Sequence, residues 1–351
     1  MNHELVKCIM KLPKSFKTPV LFIIYDRADT ALKVFDVIKK VCPTDLYIAS
    51  DGPAGRYPEE KNNVFNLRQE ILDSISWECN VQTLFAETNL GPRDGVKSAI
   101  DWFFYHVEEG IVLEHDCLPE ESFFYFCQEL LNKYKNHEEI MHISGSNFLF
   151  GKLEIKDSYY CSKYPFIWGW ASWKRAWKKY DSISGNLGVF FSAETTKSLL
   201  NSKIEYDYWA NVFYLTQKGR FNTWDYQWIY SIWKSRGISL NSSINVVSNI
   251  GYGKGAVNTG YIKTILSNME RVPMERIYHP SSLKKNGAAD RISFENYFGE
   301  HINNLFDQNE NLQKICEERL ELINSLVKTA DERLEIIESL ESEIKKIRST
   351  N

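Results

Sequence analysis

Glu114 and Asp116 are separated by one residue and follow the apolar run Ile111-Val112-Leu113. Two carboxylates so spaced at a strand end can share one hard cation with phosphate oxygens. Such an ion offsets the charge that develops on a diphosphate leaving group. Upstream, Asp26 and Asp51 each close a short apolar run, Val20-Leu21-Phe22-Ile23-Ile24-Tyr25 and Leu46-Tyr47-Ile48-Ala49. Downstream, Asp225 stands among rings in Trp224-Asp225-Tyr226-Gln227-Trp228. Partial desolvation there raises a carboxyl pKa and suits a general base for an acceptor hydroxyl. Asp207, in Tyr206-Asp207-Tyr208-Trp209, is the rival base.

Those acids need elements to converge. The first third alternates apolar runs, read as strands at 20–25, 46–49, 81–85 and 111–113, with helical spacing at 31–41, 64–75 and 96–106. A helix at 123–134 and a strand at 140–143 continue the pattern. Strands that do not alternate, separated by helices, predict a parallel sheet covered on both faces. Ligands of such sheets sit at the carboxyl ends of the strands, which places Asp26, Asp51 and Glu114/Asp116 along one crevice rim. Residues 145–300 resist the same parsing apart from a helix at 206–218, and are assigned to an acceptor-side half of the same domain.

Past residue 305 aromatics and Gly give way to Glu, Lys, Leu and Ile. Leu312, Cys316, Ile323, Leu326, Ala330, Ile337, Leu340, Ile344 and Ile347 follow 4/3 spacing, interrupted by Arg319 and Arg333. That pattern predicts either a coiled-coil helix that brings two copies together as a homo-oligomer, or an amphipathic helix packed on its own domain. The expected organisation is an extension at 1–17, a catalytic domain at 18–300 (halves 18–148 and 149–300) and a helical tail at 305–351.

At 351 residues with a net charge of -4 the chain carries no global basic field, which argues against nucleic acid as a partner. Its 7 Cys are scattered without a CxxC pair, so neither a zinc site nor a disulfide framework is expected. No stretch reaches the roughly 18 apolar residues of a membrane span, and the first residues lack the apolar core of a signal peptide. Cytoplasmic residence is the expectation, with peripheral attachment to the inner membrane as an extension of it. The 10 Trp and 19 Tyr permit a carbohydrate or nucleotide ligand.

The ordered segments TPVLFIIYDRADT, LYIASDGP, TLFAETNLG, EEGIVLEHDCLPEESFFYFCQELL, FIWGWASWKRAW, WDYQW and NVVSNIGYG make residues 18 to about 260 resemble a known family. It is that of the bacterial GT-A glycosyltransferases, family-2-like or haemolytic-protein-like nucleotide-diphospho-sugar transferases. A weaker likeness is to the animal transferases that add N-acetylglucosamine to mannose. The resemblance implies a Rossmann-like, mostly parallel α/β sheet flanked by helices. It implies Mn²⁺ or Mg²⁺ as cofactor, a nucleotide-sugar donor (a UDP-sugar favoured) and a glycan or lipid-linked acceptor. Direct displacement with inversion would use Asp225 as base, in a setting of polysaccharide assembly.

By the same resemblance Tyr25, Asp26, Arg27 and Asp51 line the base and ribose pocket, Asp116 ligates the metal and Glu114 assists. His115 stands where the family commonly has an acid; it is counted among the nucleotide-sugar-binding candidates and could add a ligand, but alternation along a strand favours a packing role. The turn at Asn89-Leu90-Gly91-Pro92-Arg93 opens a helix whose N–H groups face phosphate, with Arg93 and Lys97 assisting or serving as surface cations. Trp168, Gly169, Trp170 and Trp173 form a wall against a sugar ring, or else are core. Lys254, between Gly251, Gly253 and Gly255, belongs to a loop over the diphosphate. Val257-Asn258-Thr259 replaces the His that relatives often carry there.

Two other readings remain. Sugar-phosphate nucleotidyltransferases also use strand-end acids and a metal, but need a basic Gly-rich loop after the first strand, and Tyr25-Asp26-Arg27-Ala28-Asp29 has no Gly. The altered Glu-His-Asp triplet and the tail also suit a weakly catalytic binding or scaffold protein.

Overall fold

The structure is a computed structural model. It describes residues 16–200, 202–252, 265–299 and 317–330, with 333, 334, 336, 337, 340, 341 and 345. The chain divides into two compact units, Met1–Tyr297 and Phe298–Asn351.

In the first unit the strands are β1 (Val20–Ile24), β2 (Asp45–Ser50), β3 (Asn80–Phe85), β4 (Glu109–Glu114), β5 (Cys117–Pro119), β6 (Ile140–Ser144), β7 (Tyr159–Ser162), β8 (Trp170–Trp173), β9 (Ile238–Ser242) and β10 (Val247–Asn249). The helices are α1 (Ala28–Val41), α2 (Glu60–Asp73), α3 (Gly91–His106), α4 (Glu121–Tyr134), α5 (Lys174–Trp177), α6 (Leu187–Ser192), α7 (Glu194–Lys197), α8 (Lys203–Gln217), α9 (Asp225–Lys234) and α10 (Gly287–Ser293). Eight strands form one sheet in the order β3-β2-β1-β4-β8-β6-β9-β7, and β10 pairs with β5 in a separate ribbon.

Strands β3, β2, β1 and β4 are mutually parallel, so their carboxyl ends share one edge. β8 runs antiparallel to both β4 and β6, and β7 antiparallel to β9. The mostly parallel α/β sheet is therefore present, but the two expected halves share it: β8 of the second half lies between β4 and β6.

β1 is buried along its whole length, as a strand covered on both faces must be. β3 is half-exposed because it closes the edge of the sheet. α1 turns Val34, Phe35, Ile38 and Val41 inward, with Asp29 in its first turn and Lys39 and Lys40 in its last, matching the helix dipole. α3 starts with Pro92, whose missing N–H costs nothing there, and buries Ala99, Ile100, Phe103 and Phe104 against the sheet. Phe16, in the expected extension, is instead part of this unit: it is fully buried against Phe124 and Tyr125, and its carbonyl accepts from the Thr44 N–H.

One clamp fixes the strand edge. Arg68 lies within the apolar stripe of α2 and is buried. Its guanidinium donates to the Ser50 hydroxyl and to the carbonyls of Ser50, Asp51 and Ala86, tying the ends of β2 and β3 together.

In the second unit residues 317–330 are helical, and Leu320, Leu322, Ile323, Leu326 and Val327 are exposed on them. Leu334, Ile336, Ile337 and Leu340 are exposed as well. Among these a second 3/4 spacing runs through Leu320, Ile323, Val327, Ala330, Leu334 and Ile337, with no Arg in it. Leu312, Cys316, Ile344 and Ile347 of the expected seam lie outside the described residues. No helix among the described residues is long and apolar enough to cross a membrane.

Candidate active site

The shared carboxyl edge of β1, β2, β3 and β4 opens onto a cavity of about 390 Å³. Tyr25, Asp26, Arg27, Asp51, Glu114, His115 and Asp116 all line it, joined by Arg56, Asn89 and Gly251. Its floor is apolar, from Ile23, Ala49, Leu84, Val96 and Ala99. Polar groups at the rim of an apolar slot are what a nucleotide-sized ligand needs.

Glu114 ends β4, and His115 and Asp116 form the turn into β5. His115 is thus on a turn and not on a strand. The alternation that would direct it into packing does not apply, and it faces the cavity. The Glu114 carboxyl is pushed up to about 8, first by burial, then by the charges of Asp116 and Asp225. Glu114 and Asp116 make no ion pair among the described residues. Asp225 opens α9 and accepts a hydrogen bond from the Thr223 hydroxyl. The phenols of Tyr180 and Tyr226 are pushed up by burial and then by the Asp225 charge. That charge also contributes at Tyr208 and Tyr297, after burial. The Asp225 charge thus acts on Glu114 as well as on these tyrosines, although Asp225 itself does not line the cavity.

Asp207 is placed differently. It is exposed on α8 and paired with Lys203 at 2.5 Å, one turn away on the same helix.

The other acids along the rim are internally engaged. Asp26 accepts from Arg56 at 2.7 Å and from the Tyr57 hydroxyl at 2.8 Å. Arg56 also reaches Glu60, a fully buried acid that Tyr25 contacts at 2.8 Å. Burial opposes the Glu60 charge, but the Arg56 backbone, the Arg56 side chain and Tyr25 win, and the carboxyl falls to about 2. Tyr25 rises to about 12 through burial and that same bond.

Asp51 lines the cavity and is also engaged by the protein itself. Its carboxylate accepts from the backbone N–H groups of Gly52, Leu90 and Gly91 and from the Asn89 side chain, at 2.8 to 3.1 Å. It therefore occupies the N-terminus of α3, where phosphate was expected, and is held by the protein as well as lining the cavity. Arg93 does not line the cavity; it pairs with neighbouring Asp94 at 2.9 Å. Lys97 pairs with Asp101.

Trp170 is no sugar wall. It is fully buried on β8, stacked on His142 at 5.1 Å and Trp224 at 5.6 Å, and Trp173 and Trp177 are core as well. Gly169 (φ +67) serves a protein contact, since a Cβ there would lie 2.8 Å from Val247. Trp168 packs on Phe148, Tyr252 and Tyr297. Lys254, Gly253, Gly255 and Val257-Asn258-Thr259 lie outside the described residues. The Arg56–Glu60 network and the Arg68 clamp went unseen in the sequence. Only Arg68 left a trace there, as a charge inside the Val64, Leu67, Ile71 stripe.

Among the described residues no group of three or more His, Cys, Asp and Glu side chains is arranged to hold a metal ion. Among the described residues Glu114 and Asp116 would therefore hold an ion as a pair, with water or donor phosphate oxygens completing its coordination. The pair still fits a hard cation. Two carboxylates without an ion pair among the described residues, with a third acid close enough to raise Glu114, favour a positive charge placed between them.

No protein-family profile matches the chain, and no curated protein does. Solved structures give distant likenesses. A cytidylyltransferase from Leptospira borgpetersenii is 11% identical over 59% of this chain and 74% of its own, with a TM-score of 0.30. A UDP-glucose pyrophosphorylase complexed with UDP-glucose is 9% identical over 64% and 90%, at 0.32. Mouse xyloside xylosyltransferase 1 is 8% identical over 62% and 81%, at 0.27. At such scores the likeness carries no weight, and the geometry of the site bears the functional reading.

Proposed function

We propose that the first unit is a metal-dependent glycosyltransferase that moves a sugar from a nucleoside-diphosphate donor to the hydroxyl of a glycan or lipid-linked acceptor. The observation that supports it most is that Glu114 and Asp116 line an apolar cavity at the edge of four parallel strands, with Asp225 near enough for its charge to act on Glu114. The cavity takes the nucleotide, with Tyr25, Arg27 and Asn89 at its rim. Asp116 and Glu114 hold Mn²⁺ or Mg²⁺. When bound, that ion neutralises the leaving diphosphate.

Asp225 acts as the base. As the acceptor oxygen bonds to the anomeric carbon, its proton passes to the Asp225 carboxylate, and the bond from that carbon to the diphosphate oxygen breaks with its electrons on the diphosphate. Attack from the face opposite the leaving group inverts the centre. Tyr180 and Tyr226, whose phenols stay protonated because burial and the Asp225 charge push them up, flank the base.

A panel of nucleotide-sugars with Mn²⁺, with and without acceptors, tests this. Release of nucleoside diphosphate is expected. Consumption of a nucleotide-sugar only when pyrophosphate is added would identify a nucleotidyltransferase, and metal-independent binding without turnover would identify a scaffold. The exposed aliphatic face of the second unit fits self-association with a second copy, through the uninterrupted Leu320–Ile337 spacing.

A further inference from the structure

We propose that Gly251 is a positioning residue, which Arg27 holds against Asp116 so that the Asp116 carboxylate is set for the cation before the cation arrives. The inference rests on reading the cavity as a metal-dependent donor site. Gly251 lies just past β10, on the cavity wall. A Cβ built on it would lie 2.3 Å from Asp116 Oδ2 and 3.0 Å from both Asp116 Cβ and Cγ. One face of the carboxylate is thus closed by the Gly251 backbone.

The backbone there has little room to yield, because it is pinned from three directions. The Ile250 N–H donates to the Asp116 carbonyl at 2.8 Å, continuing the β5–β10 ladder. The Gly251 N–H donates to Asn249 Oδ1 at 2.8 Å, and Asn249 is buried. Arg27 Nη1, from the residue that precedes α1, donates to the Gly251 carbonyl at 2.7 Å. A methyl group at 251 therefore displaces the carboxylate and not the chain. The Gly251 φ is not positive, so alanine meets no left-handed backbone strain there, and the atoms nearest to its added methyl group belong to Asp116.

Groups that orient a metal ligand typically change affinity 10- to 100-fold when altered. The test measures Mn²⁺ alone binding to the full chain by electron paramagnetic resonance, with thermal denaturation of each variant alongside. Gly251→Ala is expected to weaken Mn²⁺ on the order of 10- to 100-fold while leaving the melting temperature near that of the wild type. Arg27→Met provides the second arm, with an informative sign. Loss of a nearby positive charge acting only through its field would tighten Mn²⁺ binding, whereas loss of the pin weakens it. In the Arg27→Met background Gly251→Ala should cost less than it does alone, because the freed backbone can yield. Wild-type Mn²⁺ affinity in Gly251→Ala, or tighter binding in Arg27→Met, overturns the positioning role while the donor-site reading stands. Absence of Mn²⁺ binding in the wild type removes both.

Discussion

Two groups of carboxylates in this protein differ in what surrounds them. Glu205 and Asp290 are buried around Lys163, itself 2% exposed. Lys163 meets Glu205 at 2.5 Å, and Tyr164 donates to the same Glu205 oxygen. Asp290 accepts from the Ser162 hydroxyl at 2.5 Å and from the Lys163 N–H at 3.4 Å. This cluster ties β7 to α8 and α10: Lys163 meets the Glu205 charge, while Asp290 leans on Ser162 and Lys163 and is still raised to about 6, chiefly by burial. Glu114 and Asp116, at the sheet edge, have acids for neighbours and no ion pair among the described residues. An acid compensated internally is a strut. Acids gathered at an open cavity without an ion pair suit a cation from outside.

Substitutions should separate the two groups. Asp116→Ala is expected to abolish metal-dependent donor binding while leaving stability unchanged or slightly raised, since it relieves repulsion on Glu114; calorimetry and denaturant melts check both. Asp225→Asn should lower turnover by roughly 10²- to 10⁴-fold with donor affinity retained. Normal transfer by that variant would remove Asp225 from the mechanism. In the strut the signs reverse: Glu205→Gln leaves Lys163 buried without its partner and should cost about 3–5 kcal/mol in urea unfolding, with donor binding by the folded protein intact.

A gentler effect concerns His142, buried and neutral, its Nδ1 accepting from Trp228 Nε1 and its Nε2 donating to the Phe166 carbonyl. Burial lowers its pKa to about 3. The unfolded chain takes up this proton first, so stability falls as pH drops from 6.5 towards 3. The His142 ring resonances should still report the neutral form at about pH 5. Removing the tail has the smallest expected effect on the site: a chain ending at residue 304 should sediment as a smaller species and bind donor as before. An unchanged mass would count against self-association.

The first four strands, their helices and the acids at their ends were legible in the sequence because each is announced locally, by an apolar run and then turn chemistry. What was missed depends on distant pairing. β8 enters between β4 and β6 from about 60 residues downstream of β4, and β10 pairs with β5 across a gap roughly twice as long, so neither placement shows in a local period. Trp170 looks the same in sequence on a sugar face or in a core, and only its stacking on His142 decides between them. The chemistry of Asp51 as an acid was evident, but its engagement with the N-terminus of α3 depends on a loop 39 residues away. His115 was misread because the strand stops one residue earlier than the alternation argument required.

The central claim is that Glu114 and Asp116 hold a divalent cation that completes a nucleoside-diphosphate site. Titration calorimetry of UDP into the wild-type chain and into Asp116→Ala, with Mn²⁺ and then with chelator, tests it most directly. Binding by the wild type with Mn²⁺, lost both on chelation and in the variant, is the predicted result. UDP binding of equal strength with and without Mn²⁺, or undiminished in Asp116→Ala, would contradict it.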